Sequence, residues 1–277
     1  MFEFSADWKE LPHAKVRARV EDRVAWVVMQ NPPANNYSYE MMRDLDEAVL
    51  AARMDEGVDV IVLTGDGDRF FCSGADISML NEVTPRWKYS FCLHANETML
   101  RLEHTPKLTI AALNGHCVGG GLEVALACDL RWMRGNPAEG KGYKIGLPEV
   151  KLGVLPGTGG TQRLGRLLGQ SRALQMMVDA TLYGPEQGQE LGLVHQVLDH
   201  DEFVQQVQQA ARQYCSPHMA PLAIGNIKRA VQSGCGLPLE SGLALERELQ
   251  QRLFESEDAK EGLAAFNDKR KPEFRGR

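Results

Sequence analysis

An α/β body followed by a helical tail is the fold class this sequence predicts, and three observations carry it. Short apolar runs, Val58–Thr64 and Leu108–Leu113, have the length and β-branched content of buried strands. They alternate with a stretch in which Met41, Met42, Leu45, Ala48, Val49 and Ala52 fall on one face at helical spacing. Past about residue 200 only helical periodicity remains, so residues 1–200 read as the body and 201–277 as a helical region.

Taken in order, Lys15–Val20 and Val24–Gln30 read as a hairpin turned at Glu21-Asp22-Arg23. Residues Asn31–Asn36, with two prolines, form a loop, and Ser38 caps the next helix. Val58–Thr64 is a strand and Gly65–Asp68 a turn. Pro85 introduces a helix over Arg86–Glu103, and the strand Leu108–Leu113 ends at a glycine loop. After Leu164, Ser171 caps Arg172–Val178, and Gly184-Pro185 opens a short helix ending near Gly192. Further helices are expected at Asp201–Tyr214, Pro217–Gln232, Pro238–Phe254 and Glu257–Phe266.

The glycine loop is the most informative segment: Gly115-His116-Cys117-Val118-Gly119-Gly120-Gly121-Leu122-Glu123. Consecutive glycines let the backbone turn sharply and bring N–H groups close to a ligand. The residues after them read as a helix, whose positive end stabilises a developing oxyanion. Glu123 sits in its first turn among Leu122, Val124, Ala125, Leu126 and Ala127. Apolar surroundings disfavour a charged carboxylate and raise its pKa toward the range useful for proton transfer. A first-turn acid is also common simply because it complements the helix dipole, and a glycine run is often only a turn.

Two more clusters change that balance. Pro148 biases the chain just before Glu149 toward an extended or turn conformation. Gly153, Pro156 and Gly157 keep the next segment irregular, which places Glu149 on a rigid loop. Phe70-Phe71-Cys72-Ser73-Gly74-Ala75-Asp76-Ile77 reads as a second turn able to present backbone N–H groups at a strand end. Gly157–Gln162 starts like a dinucleotide fingerprint but lacks its final glycine and a preceding strand. Ser73 is not in a Gly-x-Ser-x-Gly elbow. His116 lies beside the glycine loop, but a lone histidine is more often packed or hydrogen-bonded than chemical.

Ser73–Ile77 (Ser-Gly-Ala-Asp-Ile), Asn114–Glu123 (Asn-Gly-x-x-x-Gly-Gly-Gly-x-Glu), Pro148-Glu149 and Gly157–Leu164 together resemble the enoyl-CoA hydratase/isomerase (crotonase) family. The resemblance runs from about Val16 to Arg270. It implies a spiral of ββα turns with a C-terminal helical region that supports trimers, as a homotrimer or a dimer of trimers. It also implies hydration of a 2-enoyl-CoA to a 3-hydroxyacyl-CoA, with Glu123 and Glu149 as the acid/base pair. The N–H groups of Ala75 and Gly120 would form the oxyanion hole, and Ser73, Ala75, Asp76, Ile77 and Gly120 would line the substrate. Phe266 and Lys269, three residues apart and expected on adjacent helix positions, would contact the CoA nucleotide. No cofactor or metal is implied, because the thioester carbonyl is itself the electron sink. An enoyl-CoA isomerase or another enolate-forming reaction is the alternative, and a non-catalytic acyl-CoA-binding or RNA-associated scaffold the second. Two features depart from the family pattern: the long connection Arg134–Gly142, and Asn35-Asn36-Tyr37-Ser38 where a small apolar residue is usual.

Composition agrees. With 43% hydrophobic and 25% charged residues, the chain has the make-up of a soluble globular protein. Its net charge of −6 gives no support to a nucleic-acid surface, so an anionic substrate needs a local basic patch. Lys269–Arg277 supplies five basic side chains against one acidic, which could equally be a solvated tail. The six cysteines show no CxxC spacing or metal-ligand cluster and suggest reduced thiols. No signal-type leader or membrane span is legible, so a cytoplasmic protein without membrane partners is expected.

Overall fold

A computed structural model describes all of residues 1–277. The chain enters through β1 (Lys9–Glu10), β2 (Val16–Glu21) and β3 (Val24–Met29), the last two forming the expected hairpin. Helix α1 (Tyr39–Met54) is next, with the Ser38 hydroxyl accepting from Met41 N–H as its cap. Its buried face carries all six of the periodic apolar residues.

Three turns of one pattern succeed it, each giving a strand to each of two sheets. The first has β4 (Val60–Gly65) and β5 (Phe70–Cys72), then α2 (Ile77–Glu82) and α3 (Pro85–Glu103). The second has β6 (Leu108–Leu113) and β7 (His116–Val118), then α4 (Gly120–Leu126). The third has β8 (Leu130–Arg134) and β9 (Ile145–Gly146), then a single 3₁₀ turn at Glu149–Leu152. Helices α5 (Gly160–Leu168), α6 (Gln170–Val178) and α7 (Pro185–Glu190) lead to β10 (Gln196–Leu198). The large sheet runs β1-β2-β3-β4-β6-β8-β10, parallel from β3 onward, and the small one β5-β7-β9, all parallel. This is the ββα spiral implied by the resemblance. The small sheet escapes a sequence reading because its strands have only two or three residues, too few for periodicity to register.

Buried apolar side chains separate into two clusters. Forty residues, among them Met41, Leu63, Phe71, Leu113 and Leu122, form the main core with α1, α3 and α4. Eleven more, centred on Trp26, Val62, Ile110 and Trp132, lie on the other face of the large sheet, under α8 (Phe203–Arg212). The chain ends in α9 (Pro221–Gly234), α10 (Leu239–Glu255) and α11 (Glu257–Asn267).

Several boundaries differ from expectation. Pro85 lies inside α3, with Thr84 as its cap, because a proline at the first helical position loses no hydrogen bond. Gly169 rather than Ser171 precedes α6. α9 starts at Pro221, since Cys215–Met219 turn first, with Met219 N–H donating to Cys215 O.

Candidate active site

The three segments singled out in the sequence leave the three small-sheet strands at their carboxyl ends. Ser73-Gly74-Ala75 follows β5, Gly119-Gly120 follows β7, and Leu147-Pro148-Glu149 follows β9. Parallel pairing therefore sets them side by side, at the edge where parallel sheets characteristically bind ligands.

At the first two, the backbone is bare. Ala75 N–H donates to no protein atom, while its neighbours are tied down: Tyr37 N–H donates to Gly74 O at 2.9 Å and Asp76 N–H to Tyr37 O at 3.0 Å. Gly120 is the first residue of α4, so its N–H has no intrahelical acceptor. The two loops touch, since a Cβ built on Gly74 would stand 3.1 Å from Gly120 N. Glycine is required at 119, where φ is +58°, and at 120, where any side chain would overlap the Tyr37 phenol.

Glu123 is 2% exposed, and burial raises its pKa. Two amide donors oppose that shift: Thr158 N–H and Gly160 N–H both reach Oε1 at 2.7 Å. They come from the turn into α5, so Gly157–Gly160 serves as an anchor for this carboxylate rather than a nucleotide loop. Glu149 opens the 3₁₀ turn, which Gly153 closes at φ +71°. Its Oε2 is buried without any partner, and its Oε1 lies 3.3 Å from where a Cβ on Gly119 would be. Burial and the nearby Glu123 charge push its pKa up to about 7, against a lowering by its own backbone N–H.

The other named residues have more ordinary places. Ser73 Oγ accepts from Asn36 Nδ2 at 2.8 Å, and Asp76 caps α2, accepting from Ser78 and Met79 N–H. Ile77 is exposed beside them. His116 Nδ1 accepts from Lys144 N–H, a structural contact that ties β7 to the segment entering β9. The Arg134–Gly142 connection is cinched by Asn136, whose Oδ1 accepts Tyr143 N–H at 2.8 Å.

Phe266 and Lys269 are not on successive helix positions. α11 stops at Asn267, and Lys269 adopts φ +56° two residues beyond it, its N–H donating to Phe266 O. Both side chains are exposed, and no hydrogen bond or ion pair links them to the glycine loops or the glutamates. Nor is the tail after Arg270 loose. Buried Asp258 accepts Arg275 N–H at 2.7 Å and Gly276 N–H at 2.9 Å, and Asp258 N–H donates to Arg277 O. The sequence names Tyr37 only as a departure from the family pattern, and Thr158 and Gly160 only within a motif; their contacts with each other and with Glu123 are seen in the structure alone. The glycines at 157, 159 and 160 were the available signal that a backbone approaches something closely there.

Residues 19–277 match the enoyl-CoA hydratase/isomerase family model, and the chain belongs to that family. It is 35% identical over 254 residues to the short-chain-enoyl-CoA hydratase of Clostridium acetobutylicum, covering 91% of this chain and 94% of that one. To the 2,3-dehydroadipyl-CoA hydratase of Escherichia coli it is 36% identical over 262 residues, covering 93% and 97%. Among solved structures, one from Geobacillus kaustophilus described as "Enoyl-CoA hydrates" superposes with a TM-score of 0.90 at 42% identity, covering 97% of this chain and 98% of that chain.

Proposed function

We propose that the protein hydrates the 2,3 double bond of a 2-enoyl-CoA, giving a 3-hydroxyacyl-CoA. One observation carries this: two backbone N–H groups without acceptors lie beside two carboxyls, Glu123 buried in the first turn of α4 and Glu149 against Gly119 at the start of that helix. The N–H groups of Ala75 and Gly120 receive the thioester oxygen, and negative charge on it strengthens both bonds during reaction. Glu123 takes a proton from water as the water oxygen bonds the β-carbon. Glu149 gives a proton to the α-carbon. One water is added, and proton exchange between the pair through solvent restores both groups.

The surroundings divide the roles. Two amide donors on Glu123 favour its charged form, which suits a base, whereas Glu149 has an unpartnered buried oxygen that favours a proton. The relatives are named for different acyl groups at nearly equal identity, and rates on enoyl-CoAs of different chain length read this protein's preference. The same reading makes the active form a homotrimer or a dimer of trimers. Apolar side chains left exposed on α9–α11, Ile227, Val231, Leu239 and Phe254 among them, support an association through that region. The basic residues near Lys269 would then serve the CoA phosphates.

Loss of the enoyl absorbance of crotonyl-CoA on adding purified protein tests the activity. Turnover without added metal or redox cofactor is expected. Binding without turnover would instead indicate a scaffold, and appearance of the enoyl band from a 3-enoyl-CoA without hydration would indicate an isomerase.

A further inference from the structure

Tyr37 touches both loops with bare N–H groups and the turn that holds Glu123. Its main chain brackets the Ala75 peptide, giving its N–H to Gly74 O and taking Asp76 N–H on its carbonyl. That fixes the peptide plane whose other end carries the bare Ala75 N–H. Its ring lies against Gly120, so tightly that a Cβ there would overlap the phenol oxygen. Its hydroxyl is 3.0 Å from Thr158 Oγ1, and Thr158 N–H is one of the two donors on Glu123. Neither hydroxyl has another partner in the fold.

The phenol is 2% exposed and faces Phe91, with ring centroids 6.1 Å apart. Burying a hydroxyl is costly unless it is bonded, and phenylalanine would fill the same space without that cost. What the oxygen adds, then, is its one bond to Thr158. Through that bond the turn bearing the carboxylate's donors is tied to the two loops bearing the oxyanion donors.

We propose that Tyr37 is a positioning residue for hydration, its hydroxyl holding the Thr158 turn on Glu123 while its ring and main chain hold Gly120 and Ala75. This rests on the hydratase reading. Catalysis depends on such separations, because donors work only when aimed where charge develops. Loss of the hydroxyl loosens the Thr158 donor, which weakens support for the charged form of Glu123 and raises the pH at which it ionises.

The test compares wild type with Tyr37→Phe, Thr158→Val and the double variant, following crotonyl-CoA hydration across pH. Each single variant is expected to lower kcat about 5–10-fold, the worth of one ordinary hydrogen bond, with KM little changed. The acid limb of the profile moves to higher pH, and the double variant is no worse than either single one, since both remove the same bond. Thr158→Ser, which keeps the hydroxyl, recovers most of the loss seen in Thr158→Val. Wild-type kcat and an unmoved acid limb in Tyr37→Phe would overturn the proposal, as would additive losses in the double variant. A wild type without turnover would overturn this and the hydratase reading together, whereas an active wild type matched by Tyr37→Phe would overturn this alone.

Discussion

The spiral body and the last three helices are stabilised in different ways. In the body, strands such as β4 are buried along their whole length, and apolar packing fixes where the site segments stand. In α9–α11 few residues are buried, and two of those are charged. Lys228 pairs with Asp129 at 2.7 Å and donates to Lys107 O, tying α9 to the strands, and Asp258 ties α11 to the chain end. A body closed by its own core can hold catalytic groups alone. Helices held by polar locks, with apolar faces outward, are suited to meeting another subunit. Chemistry should therefore fail through changes in the body, and stability or affinity through changes in the tail.

The largest effect belongs to the glutamates. Glu123→Gln and Glu149→Gln each remove a group proposed to transfer a proton and should lower kcat about 10²–10⁴-fold, with acyl-CoA binding far less altered. Wild-type turnover by either would break the division. The pH profile sharpens it. As the proposed acid, Glu149 must be protonated, and its pKa of about 7 means that hydration should fall as pH rises through neutrality. The two carboxyls titrate as a coupled pair, so the limb belongs to both. In Glu149→Gln that alkaline limb should vanish from the residual rate.

Next is the chain end. Truncation after Arg270 strips Asp258 of two N–H donors and leaves a buried carboxylate short of partners, costing about 2–3 kcal/mol. Thermal melts should show a drop of roughly 4–12 °C at that cost, with kcat at saturating substrate nearly intact. An unchanged melting temperature would mean that the tail is not held as described.

The smallest effect is expected at Lys269. It is an exposed cation, so Lys269→Ala should weaken CoA binding by no more than about fivefold at low salt, and by less at high salt, where screening grows. Titration with CoA at two salt concentrations reads this directly. Equal affinities at low salt would remove Lys269 from the nucleotide site.

The sequence is most legible where pattern and chemistry coincide. α1, β4 and β6 can be read because their apolar periods are long enough to count, and Glu123 because glycines precede it. The small sheet cannot, since two- and three-residue strands have no period. The Gly157–Gly160 turn reads as a weak nucleotide motif because its ligand is a side chain of this same protein. Glu123 lies 35 residues before Thr158 and 37 before Gly160, and such pairings leave no local trace. Lys269 is misplaced for a similar reason: helix spacing extends two residues past a terminus that nothing in the local sequence marks.

The small sheet has a consequence for redesign. Its three strands each end in a separate plug: one donor at Ala75, one donor at Gly120, one carboxyl at Glu149. Because the strands are parallel neighbours, the sheet sets the order of the plugs, and Tyr37 clamps the two donor plugs to each other. The carboxyl plug, outside that clamp, can thus be exchanged while the two donors stay in position. On the proposed reading, a chemist could keep the two donors as a fixed socket for an enolate and replace only the third plug, choosing what that enolate becomes.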